Sequence, residues 1–150
     1  MRSVHKATLS DVNAIRRSDT EFAYDGRNEL AERATERGCG YVLVQDRQVI
    51  GIGILEYNFF EQGFISLLYV SPEVRRSGAG RMLLQYLVSV CETPKLFSST
   101  NQSNAPMQAL FRQVGFAPSG IIQNLDPNDP EIVYYKSVTG EGCAVDESPK

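Results

Sequence analysis

The sequence predicts an α/β fold of the α+β kind: a single mixed, mostly antiparallel sheet flanked by helices. Three observations carry that expectation. Runs rich in β-branched and apolar residues follow one another at hairpin spacing in "YVLVQDRQVIGIGILEY" and "GFISLLYV". A strand–helix–strand–helix–strand alternation follows, closing on "IVYYK" at residues 132–136. The first helix of that alternation, from Gly80 to Cys91, carries Met82, Leu83, Leu84, Tyr86, Leu87, Val88 and Val90. That is a broad apolar face suited to lying on a sheet.

In chain order, "SVHKATL" reads as a short first strand, and Ser10 or Asp11 offers a helix cap before "VNAIRRS". Residues 27–37 are rich in helix formers and stop at Gly38. "YVLV" and "QVIGIGILEY" are strands joined by a tight turn at "QDRQ". Gly51 and Gly53 thin the second of them, which suits close packing or a bulge. "FFEQG" turns the chain into the strand at 63–70, which Pro72 closes because proline cannot donate in a ladder. The 80–91 helix leads to a short strand, "PKLFSST", which should lie parallel to the 63–70 strand. "NAPMQALFRQV" is a second helix stopped by Gly115, and 132–136 is the last strand. A length of 150 residues suits one domain, expected over residues 1–138, with the polar stretch 139–150 as a disordered tail.

Composition narrows the function. A net charge of -3 argues against a nucleic-acid binder that works by charge. Cys39, Cys91 and Cys143 lie far apart, with His5 as the sole imidazole, so no metal site and no disulfide framework is expected. The N-terminal stretch lacks the apolar core of a signal peptide, and no run is long enough to cross a bilayer. The expectation is a cytoplasmic protein without a membrane partner. Whether it is a homodimer stays open.

"RRSGAG", residues 75–80, stands between a strand and a helix. A helix start offers unpaired N–H groups and a partial positive charge. Gly78 and Gly80 remove Cβ atoms that would keep an anion from those donors. Arg75, Arg76 and Arg81 crowd positive charge where the helix dipole alone disfavours it, which makes sense around a polyanion. The alternative is an ordinary strand-to-helix loop with solvated arginines. The loop is not a P-loop, having no Gly-Lys-Ser/Thr, and it lacks the three-glycine spacing of a dinucleotide fold.

The longer stretch "LLYVSPEVRRSGAGRMLLQYL" resembles the acyl-CoA-binding segment of the GNAT N-acetyltransferase superfamily, with Arg75, Gly78 and Gly80 in its signature places. "NAPMQALFRQVGF" resembles that family's second signature, an asparagine opening a helix that ends in Gly-Phe, here Asn104, Gly115 and Phe116. The resemblance implies a GNAT-like fold with splayed central strands and acetyl-CoA as co-substrate, without a metal. It implies that the backbone of Arg76, Ser77, Gly78, Ala79, Gly80 and Arg81 cradles the pyrophosphate. The pantetheine arm would run along Leu68, Tyr69 and Val70 like an added strand, within reach of Asn104. Asn104 is equally suited to a helix cap.

Acetyl transfer to an amine needs a deprotonated nitrogen, a donor for the thioester oxygen and a fate for the leaving thiolate. The resemblance assigns the second task to a backbone N–H at Leu68. It assigns the third to a tyrosine seven residues after the asparagine, yet this chain has Phe111 there. Tyr134 on the last strand is a substitute, since Tyr134 and Tyr135 point to opposite faces. An acid is also missing from the 63–70 strand. Glu56, and Glu21 in the first interhelical loop, are the available bases. Asp126 and Asp129 in "NLDPNDPE" suit an acceptor pocket that attracts a cationic amine, or a pair of Asp-Pro turns. The expected function is transfer of an acetyl group from acetyl-CoA to a primary amine of a small molecule or peptide. The alternative is an acetyl-CoA-binding module with weak or lost catalysis, acting as a sensor or partner protein.

Overall fold

The computed structural model describes residues 1–24 and 27–138, so the expected tail lies outside the described residues. Seven strands form one mixed sheet: β1 (Arg2–Lys6), β2 (Gly40–Gln45), β3 (Gln48–Phe59), β4 (Gln62–Val70), β5 (Lys95–Asn101), β6 (Ala117–Ile122) and β7 (Glu131–Ser137), in the order β1-β2-β3-β4-β5-β7-β6. Five helices accompany it: α1 (Leu9–Ser18), α2 (Thr20–Tyr24), α3 (Asn28–Glu36), α4 (Ala79–Val90) and α5 (Ala105–Val114). β1, β2 and β3 are antiparallel neighbours, and β4 and β5 run parallel, as the intervening helix predicts. The chain divides into two compact units, Met1–Leu55 with Leu67–Leu87 and Glu56–Ser66 with Val88–Lys150.

In the first unit, α1, α2 and α3 bring Val12, Ile15, Phe22, Ala31 and Ala34 onto Val42, Ile52, Ile54, Leu67 and Tyr69 of the strands. On another cluster, Ala79 and Leu83 of α4 meet Leu43 and Ile50. Ile50 is an extra residue in its strand: Leu43 pairs with Gly51 and Val44 with Val49, leaving a bulge between. Gly53 is there because α4 comes close, since a Cβ would lie 2.9 Å from Leu87 Cδ1. The turn at Asp46 and Arg47, and that at Phe60 and Glu61, both use two residues with positive φ, the geometry of two-residue hairpins.

In the second unit, β5 lies between β4 and β7. The rows Ile65–Ser98–Tyr134 and Phe64–Phe97–Tyr135 cross the three strands on alternate faces. The first row is buried with Phe111 of α5, and the second is half-buried.

Two local expectations need correction, and one strand lies outside the expected elements. The α1 cap is Thr8, not Ser10 or Asp11: Asp11 N donates to Thr8 Oγ1 while Thr8 N donates to the Asp11 carboxylate, a reciprocal capping box. Glu21 stands on the five-residue helix α2 rather than in a loop, because Asp19 accepts from Phe22 N and opens a helix too short for periodicity to reveal. Residues 117–122 form a strand despite Pro118 and Gly120, because β7 pairs with them around an unpaired Ser119.

Candidate active site

The loop singled out by its glycines is held at its edges and open in its middle. Pro72–Val74 make one 3-10 turn, Arg76 and Gly78 take positive φ (65° and 88°), and α4 begins at Ala79, which is buried. An added Cβ at Gly78 would meet nothing within 4 Å. Among the described residues, residues 75–78 form a turn, and no backbone hydrogen bond of good geometry starts from the amides at positions 76–81. The first backbone bond at this end of α4 runs from Met82 N to Gly78 O. Arg75, Arg76, Ser77 and Arg81 are exposed, and Gly80 is half-buried. Donors without acceptors, at the positive end of a helix and beside open space, are a seat for an anion.

Two arginines fix that loop, one reaching it from β1 and one at its own first position. Arg2 donates to Ser77 O at 3.0 Å and to Ser77 Oγ at 2.8 Å, and Ser77 Oγ itself donates to Val74 O. Arg75 donates from Nε to Val70 O at 2.9 Å and from Nη2 to Glu21, with its guanidinium 5.4 Å from the centre of the Tyr69 ring. Burial works against its charge, but the Glu21 carboxylate outweighs that and raises its affinity for the proton.

Beneath Arg75 lies a buried cluster that sequence reasoning missed. Tyr69 Oη stands 2.9 Å from both oxygens of Asp19, Ser71 Oγ donates to the same carboxylate at 2.7 Å, and Phe22 N donates at 3.1 Å. Burial alone would raise the Asp19 carboxyl, yet bonds from Ser71, Phe22 and Tyr69 together hold it below the ordinary carboxylate range. Burial, then the bond to Asp19, pushes the Tyr69 hydroxyl up. The cluster anchors the end of β4 to the start of α2. Leu68 and Val70 stand on the alternate face of that strand, half-buried against Ala79 and Leu83.

In the second unit, Asn104 caps α5 through Oδ1, which accepts from Met107 N at 3.1 Å. Phe111 is 1% exposed and stacks on Tyr134 at 4.8 Å between centroids, with planes 26° apart. Glu56 accepts from Ser66 Oγ at 2.7 Å. Asp126 accepts from Asn101 Nδ2 at 2.8 Å, and Asp129 accepts from Ser103 N and Oγ, so one carboxylate binds the last residue of β5 and the other the loop that follows it. Among the described residues no three His, Cys, Asp or Glu side chains gather as metal ligands, and no helix is long and apolar enough to cross a membrane.

The model of the Acetyltransferase (GNAT) family matches residues 9–116. The chain belongs to the GNAT acetyltransferase family. A GNAT-family acetyltransferase from Bacillus cereus ATCC 10987 is 37% identical, superposes with a TM-score of 0.86, and the match covers 93% of this chain and 99% of that one. The ribosomal-protein-S18-alanine N-acetyltransferase of Escherichia coli shares the fold at 20% identity, with a TM-score of 0.76 over 93% and 95% of the two chains. A Bacillus anthracis chain assigned as a streptothricin acetyltransferase, in complex with acetyl coenzyme A, matches at 20% identity with a TM-score of 0.60 over 65% of this chain and 61% of that one. No curated protein matches by sequence. The GNAT assignment gives the open loop its context: the glycines and arginines lie inside the matched segment, as do Asn104 and Phe111.

Proposed function

We propose that this protein transfers the acetyl group of acetyl-CoA to a primary amine of a small molecule or peptide. The observation that carries the reading is the row of unengaged amides at positions 76–81 beside the open space at Gly78. Such a seat fits a diphosphate, and Arg76 and Arg81 add charge where the phosphates would lie. The pantetheine arm would follow the backbone of residues 68–70, and the Leu68 N–H would face the thioester oxygen.

Acetyl-CoA supplies the activated acetyl group, and the chain's residues supply position and proton transfer. Glu56, held by Ser66, is the proposed base for the amine. Tyr134 is the proposed donor to the departing sulfur, because its ring stacks directly on Phe111, the position where the family resemblance calls for a tyrosine. In net terms an N–C bond replaces an S–C bond. One amine proton ends on the sulfur, and an ammonium sheds a further proton to solvent. Glu21 is a poorer base, since Arg75 already occupies its carboxylate. Asp126 and Asp129 would act on the acceptor through the loop they brace.

A second reading, an acetyl-CoA-binding module with weak catalysis, is favoured by one observation: the buried phenyl ring at position 111 has no proton to give. Calorimetry with acetyl-CoA, followed by thiol release across an amine panel, tests both. Binding with turnover supports the enzyme, binding without turnover supports the module, and absence of binding removes both.

A further inference from the structure

The half-buried face of the second unit carries chemistry that the cofactor does not use. Phe64, Phe97 and Tyr135 stand in one row across β4, β5 and β7. Phe59 packs on that row, 4.8 Å from Phe64 and 5.1 Å from Phe97 between ring centres, and Phe97 lies 5.9 Å from Tyr135. Phe60 meets Phe59 edge-on at 5.0 Å and is 85% exposed. Four rings thus form a continuous floor with a fifth as a free lip, in the second unit.

Along the same face the chemistry changes abruptly. One step beyond Phe64 and Phe97 come Ser66 and Ser99, just past the last recorded pair of the β4–β5 ladder, Ile65 with Ser98. Each serine donates at 2.7 Å to a carboxylate, Ser66 to Glu56 and Ser99 to Glu131. Those bonds fix two anionic groups at the border of an aromatic floor.

We propose that this face is the acceptor seat, and that the acceptor is a monocationic amine carried on a flat aryl or arylalkyl body. This deepens the acetyltransferase reading and rests on it. An ammonium satisfies fixed carboxylates beside aromatic faces, where cation–π attraction adds to charge. A flat apolar body stacks on these half-buried rings. A polyamine would leave the rings unused, and an acidic acceptor would meet two like charges. The serines orient the carboxylates and act as positioning residues.

The test uses the full-length chain with acetyl-CoA and three probes, phenethylamine, spermidine and an alanine-initiated tetrapeptide, with thiol release as the readout. Phenethylamine should exceed each of the others in kcat/KM by about tenfold or more, the size of one good ring-stacking and cation–π contact. Phe97→Leu, which keeps most of the volume, should raise the KM for phenethylamine by about the same factor while leaving the KM for acetyl-CoA unchanged. Glu131→Gln should move the same KM upward. Preference for spermidine or the tetrapeptide, or an unmoved KM in Phe97→Leu, overturns the seat. Without turnover, saturation-transfer NMR of phenethylamine on the CoA-loaded chain decides: ring-proton signals lost in Phe97→Leu support the seat, and absent signals overturn it. Calorimetric binding of acetyl-CoA is read separately, so failure of the seat is distinguishable from failure of the cofactor reading.

Discussion

In the first unit, the loop before α4 offers main-chain amides around a glycine, and its side chains point to scaffold partners or to solvent. In the second unit, the rows on β4, β5 and β7 offer side chains, and the main chain is spent on pairing. A seat made of backbone depends on conformation and empty space, so it tolerates many residue types and fails when one position fills. A seat made of rings and hydroxyls depends on identity, so each substitution subtracts its own contact. Binding of the cofactor and choice of chemistry therefore have separate sensitivities, and variants can pull them apart.

The largest expected effect is at Gly78. Gly78→Glu places a carboxylate in the open space and should weaken acetyl-CoA by more than about a hundredfold in calorimetry, through loss of two or more charge-assisted bonds. Its positive φ adds a stability cost of about 1 kcal/mol, small enough for the chain to remain folded by circular dichroism. Gly78→Asn accepts that conformation and should keep most of the affinity. Equal affinity in the Glu variant would mean that the loop is not the seat.

The next effect belongs to the side-chain half. Tyr134→Phe should lower kcat by about a hundredfold, the usual size of one lost general acid, with both KM values unchanged. Because Phe111 stacks on Tyr134, adding Phe111→Tyr to that variant should return part of the rate. An unchanged kcat in Tyr134→Phe would remove Tyr134 as the donor and move the proton transfer to solvent.

The same contrast explains what could be read in advance. The glycine loop, both hairpin turns, the Asn104 start of α5 and its Gly115 stop are local, each set by a few adjacent residues. The missed features are products of distance. Tyr69 finds Asp19 across 50 positions and Arg2 finds Ser77 across 75, and no spacing rule links either pair. β6 carries two strand-breaking residues and exists through its partner β7. The aromatic row needed the register of three strands, which a single sequence leaves open. At position 111 the family signature exposed a departure, but the ring that covers it is known only from packing.

The smallest expected effect lies where the two kinds of seat meet in one residue. Arg75 belongs to the anion loop by sequence, yet its guanidinium is engaged by Glu21 and Val70 O and covers Tyr69. The pair is only half-buried, with side chains 45% and 43% exposed, so it is worth no more than about 1 kcal/mol. If Arg75 must leave Glu21 to meet a phosphate, Glu21 is an internal competitor, and Glu21→Gln should tighten acetyl-CoA by about two- to fivefold. In an Arg75→Gln background the same change should then do nothing, because the competition has no object. Weaker binding in Glu21→Gln would give the opposite assignment: Arg75 would be a strap that shapes the end of β4, and the phosphates would rest on amides, Arg76 and Arg81 alone. The sign of one modest change thus decides whether charge or main chain dominates the loop.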